Sequence, residues 1–288
     1  MKKSISPIWM AAFVVAAFSF AQQQEPQPVK LNPLSDRLYE ILDGRGSRGG
    51  VFIGDNGSLV IDAKMDKKSV DETLEGIRKL TDKPIKILVN THSDRDHVMG
   101  NRYFPETTTV VAQENCREEF LHAMQDGAPS EWSKPELIGF VPSITFRDKM
   151  EIFLGSRKAE LWYFGVGHTT GDAVVYLPAE KTAFIGDLVF LTRPQLIHAY
   201  KGGNFHELVK TLTKMLATLD AQQFLSGHSD KTDRNGIKNY IQQLTSLEAK
   251  VSARVAVGKN LDEIKSEFKK EETALIEVIY NEIKKASP

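Results

Sequence analysis

The segment Thr91-His92-Ser93-Asp94-Arg95-Asp96-His97 carries four side chains able to bind a divalent metal within six positions: His92, Asp94, Asp96 and His97. Imidazole nitrogen and carboxylate oxygen are the usual donors for zinc and related ions. The segment follows an apolar run, Ile85 to Asn90, that reads as a short strand. On a near-extended backbone, residues 92, 94 and 96 would point to one side. The competing reading is a solvated polar loop. Two histidines and two aspartates in seven residues weigh against it.

Three more segments place a donor directly after a glycine at a predicted strand end. They are Gly165-Val166-Gly167-His168-Thr169-Thr170-Gly171-Asp172, Ile185-Gly186-Asp187 and Ser226-Gly227-His228. Glycine permits the tight backbone needed to aim such a side chain inward. A lone His or Asp at a strand end is more often a turn residue or a cap. Three of them beside the first cluster are better explained together.

In order and spacing these motifs resemble the metallo-β-lactamase-fold hydrolases, from about Leu38 to about His228. The resemblance implies an α/β, four-layer αββα sandwich with a two-metal site at one edge of two sheets. It implies that His92 and His168 hold one metal, that Asp96, His97 and His228 hold the other, and that Asp187 bridges them. Asp62 would orient the ligands from behind, as such partners do. Two divalent metals are expected, zinc first, with iron or manganese as alternatives. They would acidify a water and polarise the substrate, with Asp96 orienting the nucleophile or relaying its proton.

One position departs from the family motif H-x-H-x-D-H, because the second histidine is Asp94. Two divalent ions bring four positive charges, and Asp96, Asp187 and a hydroxide bring three negative ones. Asp94 as a further ligand cancels the remainder and weakens the Lewis acid. The function expected is hydrolysis of an ester, lactone, thioester or amide-type bond in a small-molecule substrate. The alternatives are an iron-dependent oxidoreductase or dioxygenase, a genuine β-lactamase, or a binding protein without a productive metal site. Arg193, Lys201 and Arg95 are the candidate substrate contacts, with ordinary solvated loop charge as the other reading of the first two. His122, His198 and His206 fall outside every motif and read as surface or satisfied core residues.

The positioning elements follow from periodicity. Short β-rich pieces lie at Leu38–Leu42, Gly50–Ile53 and Ser58–Asp62, with a hairpin signal at Asp55-Asn56-Gly57. Lys67–Leu80 reads as a helix from Val70, Leu74, Ile77 and Leu80, and Glu114–Met124 looks helical. Further strands are expected at Thr107–Ala112, Ile144–Phe146, Met150–Leu154, Ala159–Phe164, Ala173–Leu177, Thr182–Ile185 and Gln223–Ser226. Phe205–Leu219 and most of the chain after Asn235 read as helix, with the apolar positions of Leu261–Lys285 expected to pack on their own domain.

The chain has 288 residues, 41% apolar and 26% charged, which excludes a disordered chain. Lys+Arg at 37 against Asp+Glu at 38 leaves no basic footprint for nucleic acid. The one cysteine, Cys116, excludes an internal disulfide and a Cys-rich zinc module; it reads as a buried small residue on a helix away from the motif loops. Lys2 and Lys3, the apolar run Ile8 to Phe20 and Ser19-Phe20-Ala21 form a secretory-signal pattern with cleavage after Ala21. The other reading is an uncleaved anchor, although the run is short for a membrane span. Residues 1–21 are thus read as a signal peptide, 22–36 as a polar leader, and 37–288 as one domain with C-terminal helices. The expected location is the periplasm or the medium, with no stable membrane insertion after cleavage.

Overall fold

A computed structural model describes residues 25–122 and 126–286. The expected signal peptide lies outside the described residues. One sheet contains β1 (Lys30–Pro33), β2 (Leu38–Leu42), β3 (Gly49–Ile53), β4 (Ser58–Ile61), β5 (Ile85–Val89), β6 (Thr109–Gln113) and β7 (Ile144–Phe146), each beside the next. The first four pair antiparallel, and β5 to β7 add in parallel. The second sheet contains β8 (Lys149–Leu154), β9 (Arg157–Tyr163), β10 (Ala173–Leu177), β11 (Thr182–Phe184), β12 (Gln223–Leu225) and β13 (Thr232–Asp233), again each beside the next. Only β11 and β12 pair in parallel there.

Parallel neighbours need a crossover, and each of the four here contains a helix. Helix α1 (Lys67–Leu80) joins β4 to β5, and its N-cap Asp66 accepts a hydrogen bond from Ser69 N. The short α2 (Arg95–Val98) and α3 (Glu114–Leu121) follow β5 and β6. Helix α4 (Phe205–Thr218) joins β11 to β12, capped by Asn204. After β13 come α5 (Arg234–Ala256), α6 (Leu261–Lys265) and α7 (Thr273–Ala286).

Strand alternation sorts the apolar residues into layers. Leu59 and Ile61 of β4 meet Val175 and Leu177 of β10 between the sheets. Val60, pointing the other way, packs with Val70, Leu74 and Ile77 of α1. Val174 and Tyr176 face Leu208 and Leu212 of α4, together with Ile237 of α5 and Ile276 of α7. The result is the αββα sandwich of the sequence reading. The tail packs on its own domain, because Ile264, Leu275, Ile276 and Ile279 are buried in that last layer. The Asp55-Asn56-Gly57 turn closes the β3–β4 hairpin through Gly54 N donating to Gly57 O at 2.9 Å.

Three local expectations need correction. The polar leader is not free of structure: Lys30–Pro33 pairs with β2 as an edge strand, and Val29 and Leu31 pack against the α1 layer. A short edge strand carries too few alternating positions to announce itself. The segment after β5 does not stay extended. Asp94 is the residue before the first turn of α2, so side-chain alternation ends there. Cys116 is buried in α3, as expected, but not away from the motif loops; a Cβ on Gly171 would sit 2.2 Å from Cys116 N. Burial holds the thiol well above its ordinary range, so it stays protonated and inert.

Candidate metal centre

Every predicted donor stands on a connection at one end of the two sheets. Asp62 follows β4, residues 91–97 follow β5, His168 lies between β9 and β10, Asp187 follows β11, and His228 follows β12. The fold brings them into two adjoining groups, His92, Asp94, His168 and Asp187 in one, and Asp96, His97 and His228 in the other. Asp187 touches both. Its Oδ2 lies 3.8 Å from His92 Nε2, 3.9 Å from His168 Nε2 and 3.3 Å from His228 Nε2, while Oδ1 lies 3.3 Å from His97 Nε2. Asp96 Oδ2 is 2.9 Å from His228 Nε2.

The hydrogen bonds behind the histidines select which nitrogen faces the centre. His168 Nδ1 donates to the Leu196 carbonyl at 2.8 Å. His97 Nδ1 donates to Asp62 Oδ2 at 2.8 Å. The Thr91 hydroxyl donates to Asp62 Oδ2 at 2.8 Å, so its oxygen is left to accept from His92 Nδ1 at 3.1 Å. Each of the three rings therefore turns Nε2 inward. Asp62 performs this work from a left-handed backbone, φ 59°, fixed by Thr91 N donating to Oδ1. Strained non-glycine residues of this kind concentrate at functional sites.

Two atoms at the centre, His92 Nε2 and Asp187 Oδ1, are buried with no hydrogen-bond partner. Leaving such groups unpaired is costly, and both are natural metal donors. The residues present thus fit a pair of divalent ions. The metal-free charge state points the same way. Burial would lower the His168 and His228 pKa values, but Asp94 for one, and Asp187 and Asp96 for the other, raise both to about 9. Burial likewise opposes His97, yet Asp187 and Asp62 hold it well above its ordinary range. The carboxylates move oppositely: against burial, the histidines hold Asp94 and Asp187 well below the usual range and Asp96 at about 2.

Gly227 marks how close the chains approach. A Cβ there would lie 2.5 Å from Asp187 Oδ1 and 2.6 Å from His97 Cε1. Gly227→Ala is expected to leave the sheets folded but lower metal content, measured by elemental mass spectrometry beside a thermal melt.

The candidate substrate contacts divide. Arg95 lines a pocket of about 250 Å³ next to Asp94 and Asp96, with Phe120, Trp132 and Tyr200, but is ion-paired to Glu131 at 2.7 Å. Arg193 lies 4.3 Å over the Phe190 ring, which stacks in turn on His228. Lys201, expected to face substrate, donates to Asp94 Oδ1 at 2.6 Å. His206 is an exposed partner of Glu248, and His122 is exposed. His198 is neither surface nor core filler: its Nε2 lies 2.8 Å from Asp94 Oδ2. Sequence reasoning also passed over Glu119, a buried acid on α3 that accepts from Ser93 and Thr170. No motif in the sequence marks either residue.

A two-sheet sandwich with paired histidine–aspartate groups at its edge defines a metal-binding α/β fold. Residues 44–228 match the family model of the metallo-beta-lactamase superfamily, and the chain belongs to that superfamily. A metallo-beta-lactamase type 2 of Elizabethkingia meningoseptica is 21% identical over 80% of this chain and 90% of its own. The 2,4-dinitroanisole O-demethylase subunit alpha of a Nocardioides strain is 25% identical over 55% of this chain, which spans 45% of that relative's length. A solved metallo-beta-lactamase from Pontibacter korlensis superposes with a TM-score of 0.62 at 21% identity, covering 75% of this chain and 99% of that one.

Proposed function

We propose that the protein is an exported metal-dependent hydrolase acting on an ester, lactone, thioester or amide-type bond of a small molecule. The observation that carries this is Asp187, buried and in reach of three histidines from one side and a fourth from the other, with an oxygen that no protein group satisfies. In this reading His92, His168 and Asp94 would hold one ion, His97, His228 and Asp96 the other, and Asp187 would serve both. Zinc is the first candidate, iron or manganese the next. When bound, the ions supply Lewis acidity and an activated water. The chain does the rest. Asp62 and the Leu196 carbonyl fix ring orientation, and Asp96 borders the pocket where it can accept the nucleophile's proton.

Ester, lactone and thioester substrates stand ahead of β-lactams in this reading, because Lys201, enclosed and held by Asp94, is not free to grip a substrate carboxylate. Export rests on the Lys2-Lys3 start and the apolar run to Phe20; no helix among the described residues is long and apolar enough to cross a membrane. The test is metal analysis of protein purified without chelator, followed by a panel of esters, lactones, thioesters and β-lactams. About two zincs with turnover lost to chelator and restored by zinc is the expected result. Iron with oxygen consumption would replace hydrolysis by the redox reading, and no retained metal would leave a binding protein.

A further inference from the structure

The side chain that replaces the family's second histidine is built into the site by three loops. Asp94 Oδ2 lies 3.0 Å from His168 Nε2, 2.8 Å from His198 Nε2 and 3.5 Å from His92 Nε2. Oδ1 faces away from those rings and accepts from Lys201 Nζ at 2.6 Å. The same ammonium donates to Ser93 Oγ at 2.8 Å. Ser93 donates onward to Glu119 Oε2 at 2.5 Å, and Glu119 Oε1 accepts from Thr170 N and Oγ1 at 2.9 and 2.6 Å. One chain of charged hydrogen bonds therefore ties the loop of His92 to the loop of His168.

The loop that carries Lys201 is fixed as firmly. His198 N donates to the His168 carbonyl at 2.9 Å, and Asn204 N to the Gly167 carbonyl at 3.0 Å. A Cβ on Gly203 would come within 2.2 Å of that His168 carbonyl, so only glycine allows the two loops to lie this close. Lys201 itself is mostly enclosed, with 15% of its side chain exposed, which removes it from the role of a mobile substrate clamp.

We propose that Lys201 is the positioning residue that lets an aspartate serve where the family has a histidine. It pins Oδ1, so that Asp94 offers the first metal a single oxygen, Oδ2, and it returns the positive charge that a third carboxylate removes from the centre. A bidentate carboxylate would occupy a coordination position needed by water or substrate; the ammonium prevents that by holding one oxygen. His198 donates to the second lone pair of Oδ2 and fixes the plane of the carboxylate. The inference rests on the two-metal reading above.

The test compares zinc dissociation constants, by competition with a chromophoric chelator, in the wild type, Lys201→Met, Asp94→His and the double variant. Partners behind a ligand typically contribute about 10–100-fold in metal affinity. Lys201→Met is expected to weaken one of two zincs by roughly that factor and leave the other within about threefold. In the Asp94→His background the same change should cost nothing, since a neutral imidazole needs neither pinning nor charge offset; this also shows that the substitution folds. Lys201→Gln, a donor without the charge, should fall between Met and Lys. Unchanged affinity in Lys201→Met, full affinity in Lys201→Gln, or an equal loss in both backgrounds would overturn the proposal. A wild type that binds no zinc would overturn the two-metal reading and this inference together, whereas two tightly bound zincs in wild type and Lys201→Met alike would overturn this inference alone.

Discussion

Asp187→Ala is expected to empty both halves of the centre at once and to abolish turnover. Asp96, His97 and His228 form one group and His92, Asp94 and His168 the other; among the carboxylates of the described residues, Asp187 alone pairs within 4 Å with histidines in both. Its carboxylate is also the charge that balances the imidazoles around it. Removing it leaves Asp94 facing His92 and His168, and Asp96 facing His97 and His228, with no carboxylate shared between the two groups; a buried charge stripped of its partner costs about 3–5 kcal/mol. Metal content should therefore fall from about two per chain to near zero. Activity should fall by more than the 10–100-fold typical of residues that only support a ligand. Asp187→Asn, which keeps the shape and loses the charge, should behave similarly if bridging is the role. Elemental mass spectrometry and initial rates on the same preparation decide it. A variant that keeps two metals and full turnover removes Asp187 from the bridge.

Most of this centre was legible in the sequence because its donors obey local grammar. Each follows a strand, and glycines sit immediately before His168, Asp187 and His228. Strands show as short β-rich runs and α1 and α4 as single apolar faces, so the elements followed from periodicity, while their four-layer stacking followed from the resemblance of the motifs to a known family. What was not legible depends on contacts between distant segments. His198 and Lys201 reach Asp94 across more than a hundred residues, and Glu119 joins them by accepting from Ser93, which accepts in turn from Lys201. A lysine on a loop looks the same whether it greets substrate or neutralises a buried acid. Only the packing of the 198–204 loop on Gly167 and His168 separates the two. The alternation expected of residues 92, 94 and 96 failed for a local reason: α2 starts at Arg95, so Asp96 turns to His228 while Asp94 stays with His168.

Acidification is expected to weaken binding of the second ion more steeply than binding of the first. Without metal, His97 and His228 are both held protonated above their ordinary range, His228 to about 9; in the other group His168 is raised to about 9. A metal must displace those protons. Below about pH 9, filling the group of His97 and His228 releases two of them, and the apparent affinity should rise by about a hundredfold per pH unit. Filling the group of His168 releases that ring's proton, which corresponds to about tenfold per unit. The stability of the metal-free chain runs the other way. A histidine whose pKa is raised by folding stabilises fully below its unfolded value of about 6.5 and loses that contribution as pH climbs through about 9. The depressed carboxylates contribute above their unfolded value near 4, and for Asp96 that contribution is lost as pH falls through about 2. The stripped protein should accordingly be most stable between about pH 4 and 6.5 and weaken toward pH 9. With zinc present the trend on the alkaline side should invert, because binding tightens as the apo form loosens. Chelator competition and thermal melts from pH 6 to 9, with and without zinc, measure both slopes. Parallel slopes for the two ions would mean that His97 and His228 do not share one of them.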